Sequence, residues 1–319
     1  MSARSTLGGM ARTVRRLLGG ERPLILMYHR IADLDHDPWE LAVSPDRFAM
    51  QLQILRARRD IVPLSWLVER LERGQSAPRA AAITFDDGYV DLLDNAKPLL
   101  ARYTCPATVF LPPAFVGQPG GFWWDTLTRI FLATPDLPAQ LTLDHDGKSL
   151  AWDVRTDTRR KVHDEVWAAL KFMGDTERAG HLATLVAWAG IPADAPASDR
   201  CMTEEQLRAF SQPGVLDFGA HTMSHPSLPH LAAPAQAEEI SRSSNWIVET
   251  LGIEPQGLAF PFGDYNKETL AAARSSGVQF ACTTVADAIR RRADRFALPR
   301  VAIGNLDTAS FERLIASHG

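Results

Sequence analysis

Short apolar, β-rich runs alternate along this chain with segments in which apolar residues recur at helical spacing. That alternation predicts parallel strands joined by crossover helices, an α/β layout. The strand candidates are Leu24–Tyr28, Ile61–Leu64, Ala80–Phe85, Ala107–Leu111, Val215–Gly219, Gly257–Phe260, Val278–Thr283 and Phe296–Ile303. Helix starts lie between them. Ser44 followed by Pro45 supplies an N-cap and a preset first turn for a helix reaching Arg59. Thr203, with Glu204, Glu205 and Gln206 behind it, opens a second helix, and Pro234 opens a third that runs to about Leu251.

Between Pro112 and about Arg200 the alternation lapses into Pro, Gly and Asp clusters around two helical stretches, Thr158–Met173 and Glu177–Ala189. So long a departure predicts a mainly helical insertion, a cap or substrate-side subdomain, because long structureless loops are uncommon in compact domains. The expected organisation is a basic N-terminal segment over residues 1–22 and one domain over 23–319 with the insertion at about 112–200. A length of 319 residues at 45% hydrophobic composition suffices for one α/β barrel, or for a medium domain with a large insertion. The run Arg290, Arg291, Arg292 and Arg295 reads as a solvated loop, since three adjacent charges cannot share one buried face.

A net charge of −4 gives no overall basic field, so nucleic acid is not an expected partner. Cys105, Cys201 and Cys282 are widely spaced and odd in number, which indicates neither a disulfide framework nor a thiolate zinc site and favours a reducing compartment. The first twenty residues lack an apolar core of signal-peptide length, and no later stretch approaches a membrane span. The expectation is a soluble, unexported, cytoplasmic protein. Met10, Val14, Leu17 and Leu18 can line one face of a short helix and Arg12, Arg15 and Arg16 another. Such a helix is either frayed or docked, or a weak contact with the inner face of the membrane.

Chemistry concentrates where strand candidates end. Ile83-Thr84-Phe85-Asp86-Asp87-Gly88 is an apolar run closing on two carboxylates. Asp-Asp-Gly can be a turn whose Asp caps a helix, or a pair of acids at a strand's carboxyl end, where barrels place their catalytic groups. Gly219-Ala220-His221-Thr222-Met223-Ser224-His225 follows another apolar run. Two histidines four apart are ordinary surface residues, or they converge on one metal through a helical turn or tight loop. With one carboxylate they leave coordination positions open for water and substrate, as a catalytic site requires. Leu258-Ala259-Phe260-Pro261-Phe262-Gly263-Asp264-Tyr265 and Leu26-Met27-Tyr28-His29-Arg30 also end strand candidates.

In order and spacing these segments resemble the polysaccharide deacetylase family, also called NodB-homology or carbohydrate esterase family 4 enzymes. Thr84-Phe85-Asp86-Asp87-Gly88 matches its first motif, His221-Thr222-Met223-Ser224-His225 its second, and Phe260-Pro261-Phe262-Gly263 is similar to its third. The resemblance spans about Leu24 to Ile303. It implies a distorted (β/α)7-8 barrel with the site at the carboxyl ends of the strands. It also implies Asp86 as general base, Asp87, His221 and His225 as ligands of a divalent metal, usually zinc, and the backbone N–H of Phe262, beside Pro261, as an oxyanion donor. The substrate class implied is an N-acetylated amino-sugar glycan, polymeric or lipid-linked.

Two departures stand out. The family's third motif has an arginine two residues before its proline, where this chain has Ala259. Arg300, in Ala297-Leu298-Pro299-Arg300-Val301, can replace it by pointing inward, or can point outward to a helix carboxylate. The late Leu-x-His motif that supplies the general acid is also missing. His29 resembles instead the histidine of a Tyr-His segment in the poly-N-acetylglucosamine, or exopolysaccharide, deacetylase branch, where the motif order is permuted, and is expected to protonate the departing amine. Trp123-Trp124-Asp125 is similar to exopolysaccharide-associated members, which would place Trp124 in the sugar-binding wall, though core packing alone also accounts for such aromatics. The rival readings are release of another acyl group, such as formyl, from a lipid-linked amino sugar, and a carbohydrate-binding relic of the fold that has lost activity.

Overall fold

The computed structural model describes residues 21–145, 148–212 and 215–318. The expected basic segment with its membrane contact falls almost wholly outside the described residues. These contain the strands β1 (Leu24–Tyr28), β2 (Arg30–Ile31), β3 (Ala42–Val43), β4 (Asp60–Ile61), β5 (Ala80–Asp86), β6 (Ala107–Leu111), β7 (Gln140–His145), β8 (Lys148–Asp153), β9 (Leu216–Ala220), β10 (Gly257–Ala259), β11 (Phe280–Cys282) and β12 (Val301–Ala302).

Eight of these strands form one parallel sheet in the order β11-β10-β9-β6-β5-β1-β12, with β4 beside the start of β5. The segment leading into β12 ties the two edges together. Leu298 bridges Cys282 of β11, while Val301 and Ala302 pair with Leu26 and Met27 of β1. The sheet thereby curls into a distorted (β/α) barrel, with the helices Pro45–Arg58, Glu204–Phe210, Ala233–Leu251 and Thr308–His318 among those outside it.

Parallel strands covered on both faces read as continuous apolar runs, and β1, β5 and β6 are buried at every position. Their residues nevertheless alternate. Leu24, Leu26 and Tyr28 of β1 and Ala81, Ile83 and Phe85 of β5 join the core against the outer helices, together with Phe48, Leu52, Ile240 and Phe311. Ile25, Ala80, Ala82, Phe110, Ala259 and Phe280 form a separate cluster inside the curl. By the same period of two, Thr84 and Asp86 follow Ala80 and Ala82 inward. The interior is narrow: a Cβ on Gly219 would lie 2.5 Å from the Phe110 ring, so only glycine lets that ring cross from the neighbouring strand.

The helix signals have the structure expected of them. The Ser44 hydroxyl accepts from Arg47 N–H to open Pro45–Arg58, and Thr203 and Gln206 form a reciprocal capping box. Four strand candidates are shorter than predicted. Of the second only Ile61 pairs, in Asp60–Ile61, because Leu64 already belongs to the helix Leu64–Glu72, and Gly257–Ala259 remains of Gly257–Phe260. Phe280–Cys282 remains of Val278–Thr283. The run Phe296–Ile303 contracts to Val301–Ala302, since Pro299 has no N–H to give a ladder. Arg290, Arg291, Arg292 and Arg295 lie exposed in the intervening loop.

Residues between β6 and β9 hold the helices Trp123–Thr128, Arg159–Leu170 and Asp175–Ala189. They also hold an antiparallel hairpin of β7 and β8 that the sequence did not reveal. Phe122, Trp123, Trp124, Phe131, Leu141, Val166 and Leu185 make a core of their own here, closed on the barrel side by Tyr89 and Cys201. Cys105, Cys201 and Cys282 are buried and unpaired. No helix among the described residues is long and apolar enough to cross a membrane.

Candidate active site and metal centre

The inward parity of β5 delivers Asp86, 3% exposed, to the carboxyl end of the barrel. There Arg300, fully buried, donates from both terminal nitrogens to its two oxygens, Nη1 to Oδ1 and Nη2 to Oδ2, each at 2.7 Å. Arg300 is itself fixed: Nε donates to the Thr283 carbonyl at 3.0 Å, Nη1 also reaches Thr84 Oγ1 at 3.3 Å, and the guanidinium lies 5.5 Å from the Phe110 ring centre. Burial alone would raise the Asp86 pKa. Arg300 outweighs it, with His221 and His29 adding to the same effect, and holds the carboxyl well below the ordinary range.

One residue on, the chain turns into the left-handed region at Asp87 (φ 71°) and Gly88 (φ 72°), so the second carboxylate departs in a different direction from the first. Asp87 Oδ1 lies 3.7 Å from His221 Nε2 and 3.5 Å from His225 Nε2. The histidine loop is a tight turn, with Thr222 (φ 61°) and His225 (φ 58°) both left-handed. Thr222 Oγ1 donates to the His221 carbonyl and accepts the His225 N–H. Ser224 anchors the loop by donating N–H and Oγ–H to the two oxygens of Glu239 on the helix Ala233–Leu251.

The donor set fits a divalent cation on the geometry of this chain alone. His221 Nδ1 donates to the Ala259 carbonyl at 2.8 Å, which leaves the Nε2 lone pair facing Asp87. Asp87 Oδ1 is buried without a hydrogen-bond partner, so nothing but the two imidazoles faces this oxygen from the histidine loop. One ligand atom from each of Asp87, His221 and His225 lies within 4.8 Å of the others. Burial pushes the Asp87 carboxyl well up, helped by Asp86 and Asp125, and pushes both imidazoles down. A bound cation would reverse the carboxyl's penalty.

His29 Nε2 stands 3.9 Å from Asp86 Oδ2, with 18% of its side chain exposed. Desolvation lowers its pKa to about 4 and outweighs the attraction of Asp86, so the resting imidazole is neutral at pH 7. Of the two readings of Trp124, the burial favours core packing over the sugar-binding wall. Only 5% exposed, its ring stacks on Phe122 and sits 4.8 Å from the ring of His225, which offers no open face to a sugar. Phe262 closes the other side of His225 at 4.7 Å, in a turn where it is itself left-handed (φ 59°) and follows the buried Pro261.

Other residues that hold the site carry no local motif. Tyr89 OH accepts from Trp124 Nε1 and donates to Asp125, both at 2.8 Å. The Arg30 guanidinium covers the Tyr89 ring at 4.5 Å and binds Asp91, Asp199 and the Ser198 carbonyl. Arg30 therefore faces away from Asp86 and serves the junction between barrel and insertion. Burial raises the Asp125 carboxyl to about 7.

Asp86, Asp87, His221, His225 and Phe262 all fall within residues 73–281, which the profile of the polysaccharide deacetylases matches. The chain belongs to the polysaccharide deacetylase family. It is accordingly a carbohydrate N-deacetylase, a hydrolase. It is 22% identical over 305 residues to the poly-β-1,6-N-acetyl-D-glucosamine N-deacetylase of Staphylococcus epidermidis, covering 92% of this chain and 81% of that protein. Its fold matches that of IcaB from Ammonifex degensii with a TM-score of 0.61 at 18% identity, over 94% of this chain and 98% of that one. The deacetylase PplD of Streptococcus pyogenes, solved in complex with acetate, superposes with a TM-score of 0.60 at 20% identity, over 94% and 99%. Within this deacetylase frame the guanidinium on Asp86 comes from Arg300, and Ala259 contributes only its carbonyl, to His221.

Proposed function

We propose that the chain removes the acetyl group from an N-acetylated amino sugar of a polysaccharide, with a divalent metal held by Asp87, His221 and His225 and with Asp86 as general base. The observation that carries this reading is the juxtaposition of two adjacent carboxylates with different partners. Asp86 is held ionised by Arg300, and Asp87 is turned onto two imidazoles. The poly-β-1,6-N-acetyl-D-glucosamine N-deacetylase activity of the Staphylococcus epidermidis relative supports an N-acetylglucosamine polymer as the substrate. Two imidazoles and one carboxylate are a donor set suited to zinc with a position left open.

A divalent metal held by Asp87, His221 and His225 would supply Lewis acidity to the acetyl carbonyl and to the attacking water. Asp86 accepts the proton that the water loses on attacking the carbonyl carbon. Arg300 keeps the carboxylate oriented for that transfer. The backbone N–H of Phe262, in its left-handed turn beside His225, is assigned to the oxygen that gains charge. The departing nitrogen needs a proton before the C–N bond breaks. His29, neutral at rest and 3.9 Å from Asp86, takes the proton that Asp86 has accepted and passes it to the amine. An imidazolium disfavoured by its surroundings is a strong donor. The products are the free amino sugar and acetate.

Incubation with poly-β-1,6-N-acetylglucosamine oligomers tests the reading. Acetate and free amine should appear in equal amounts, and Asp86→Asn and His221→Ala should abolish both. Release of formate from a formylated amino sugar in place of acetate would favour the rival deacylase. No release of either acid from any acylated amino sugar would favour the binding relic.

A further inference from the structure

The helix Arg159–Leu170 ends beside the third motif, and the residue that caps it, Lys171, reaches across to the barrel. Its side chain is 13% exposed, and its ammonium lies 2.9 Å from Asp264 Oδ2 and 4.4 Å from the centre of the Phe262 ring. The rings of Phe172 and Trp167 stand 5.2 and 5.5 Å from the same nitrogen. The same Asp264 oxygen is also held by Ser227 Oγ, which donates to Oδ2 at 2.8 Å and is paired with His230 Nδ1 at 3.0 Å. One cation thus binds both the ring and the carboxylate of a single turn.

That turn is the one in which Phe262 adopts φ 59° and ψ 0°. A bulky side chain in the left-handed region persists only where its surroundings hold it. Within the turn the hydrogen bonds are local, Gly263 N–H to the Phe260 carbonyl and Asp264 N–H to that of Pro261. The ion pair and the cation on the ring anchor it to another part of the chain. The Phe262 ring in turn packs on His225, so its placement bears on the metal ligand as well as on the backbone donor.

We propose that Lys171 is a positioning residue for the deacetylation, fixing the Phe262–Gly263–Asp264 turn so that its backbone meets the substrate carbonyl. The proposal rests on the deacetylase reading above for its kinetic part and on the turn itself for its structural part. Lys171 does not touch the reacting atoms; it acts through Phe262 and Asp264. Its origin at the end of an insertion helix makes the insertion part of the catalytic geometry.

The test compares the metal-loaded parent with Lys171→Met, Lys171→Arg and Asp264→Asn. Methionine keeps the apolar stem and removes the charge, and asparagine keeps an acceptor for Ser227. Amide hydrogen exchange at Gly263 and Asp264 should quicken about tenfold in Lys171→Met. Its kcat should fall about ten- to a hundredfold, with KM within about twofold, as for a donor displaced by a fraction of an ångström. Lys171→Arg, which retains a cation for ring and carboxylate, should restore both readouts. Asp264→Asn should move them in the same direction by less. Parental exchange at the turn in Lys171→Met, or parental kcat, overturns the proposal. So does a raised KM with kcat retained, which makes Lys171 a substrate contact. If the parent released no acetate, the deacetylase reading would fail, and exchange would still decide whether Lys171 holds the turn.

Discussion

Arg300 grips both oxygens of Asp86 at 2.7 Å although 214 positions separate them in the chain. The contact exists because β12 and β5 flank β1, so the end of the chain returns beside the first motif. A guanidinium fork supplies charge and orientation together, which neither a lysine nor water reproduces. Replacing Arg300 by Ala leaves a buried carboxylate without its partner, at a cost of about 3–5 kcal/mol in stability. The variant should retain its metal and lose turnover about a hundredfold. Since Arg300 depresses the Asp86 pKa, its removal raises it, and the acidic limb of the kcat/KM profile should move to higher pH. An unchanged limb would remove Arg300 from the catalytic account.

Metal content should follow the ligand set. His221→Ala and His225→Ala should each lose near-stoichiometric divalent metal, measured by elemental analysis, while His29→Ala keeps it. Adding metal should raise the melting temperature of the parent and not of the His221 or His225 variants. Full metal content in His221→Ala would exclude the proposed ligands.

His29 gives a prediction whose sign runs against habit. Its folded pKa, about 4, lies below the ordinary value, so protons favour the unfolded chain between the two. The stability it contributes is complete above about pH 6.5 and is lost as pH falls through 4. In the metal-free protein its ring resonances should titrate near pH 4. In Arg300→Ala the midpoint should rise, because Arg300 is one of the charges that lower it. Turnover in His29→Gln should fall about 10²–10⁴-fold. Parental turnover would leave another group to protonate the amine.

Which of these features the sequence disclosed follows from how local their causes are. β1 and β6 match their apolar runs to the residue because both faces are covered, and the Asp-Asp-Gly and His-Thr-Met-Ser-His segments each lie in one loop. The hairpin β7–β8 escaped notice because its inward set is small: Leu141 and Leu143 are buried, while Leu150 and Trp152 are only half-buried. Trp124 looked like a sugar platform because an aromatic pair reads alike in a core and at a rim; its burial against His225 depends on folding of the insertion. The neutrality of His29 has the same origin, since desolvation has no sequence signature. Lys171, Asp264 and the Arg30–Asp199 contact join segments far apart, and no motif marks them.

The Tyr89 hydroxyl offers the sharpest test of how the insertion supports the metal ligands. His225 Nδ1 is buried with no hydrogen-bond partner, so its ring is oriented by packing between Trp124 and Phe262 and not by an acceptor such as His221 finds in Ala259. Trp124 is in turn held by its bond to Tyr89 OH, which also supplies a proton to Asp125. Tyr89→Phe keeps the ring beneath Arg30 and against Phe122 but leaves the Trp124 N–H without an acceptor and Asp125 without a donor. Stranding those groups should cost about 1–3 kcal/mol in stability. The Tyr89 bond helps to keep the Asp125 pKa down to about 7 against burial, so its loss should raise that pKa and leave Asp125 more fully protonated at neutral pH. If the network orients His225, metal affinity should weaken about tenfold, as when other supporting partners of a ligand are removed. Competition with a chromophoric chelator reads that affinity directly, and Trp124→Phe, which keeps a ring and removes the donor, should show a similar loss. A Tyr89→Phe protein that melts earlier but binds metal with parental affinity would confine the network to holding the insertion on the barrel.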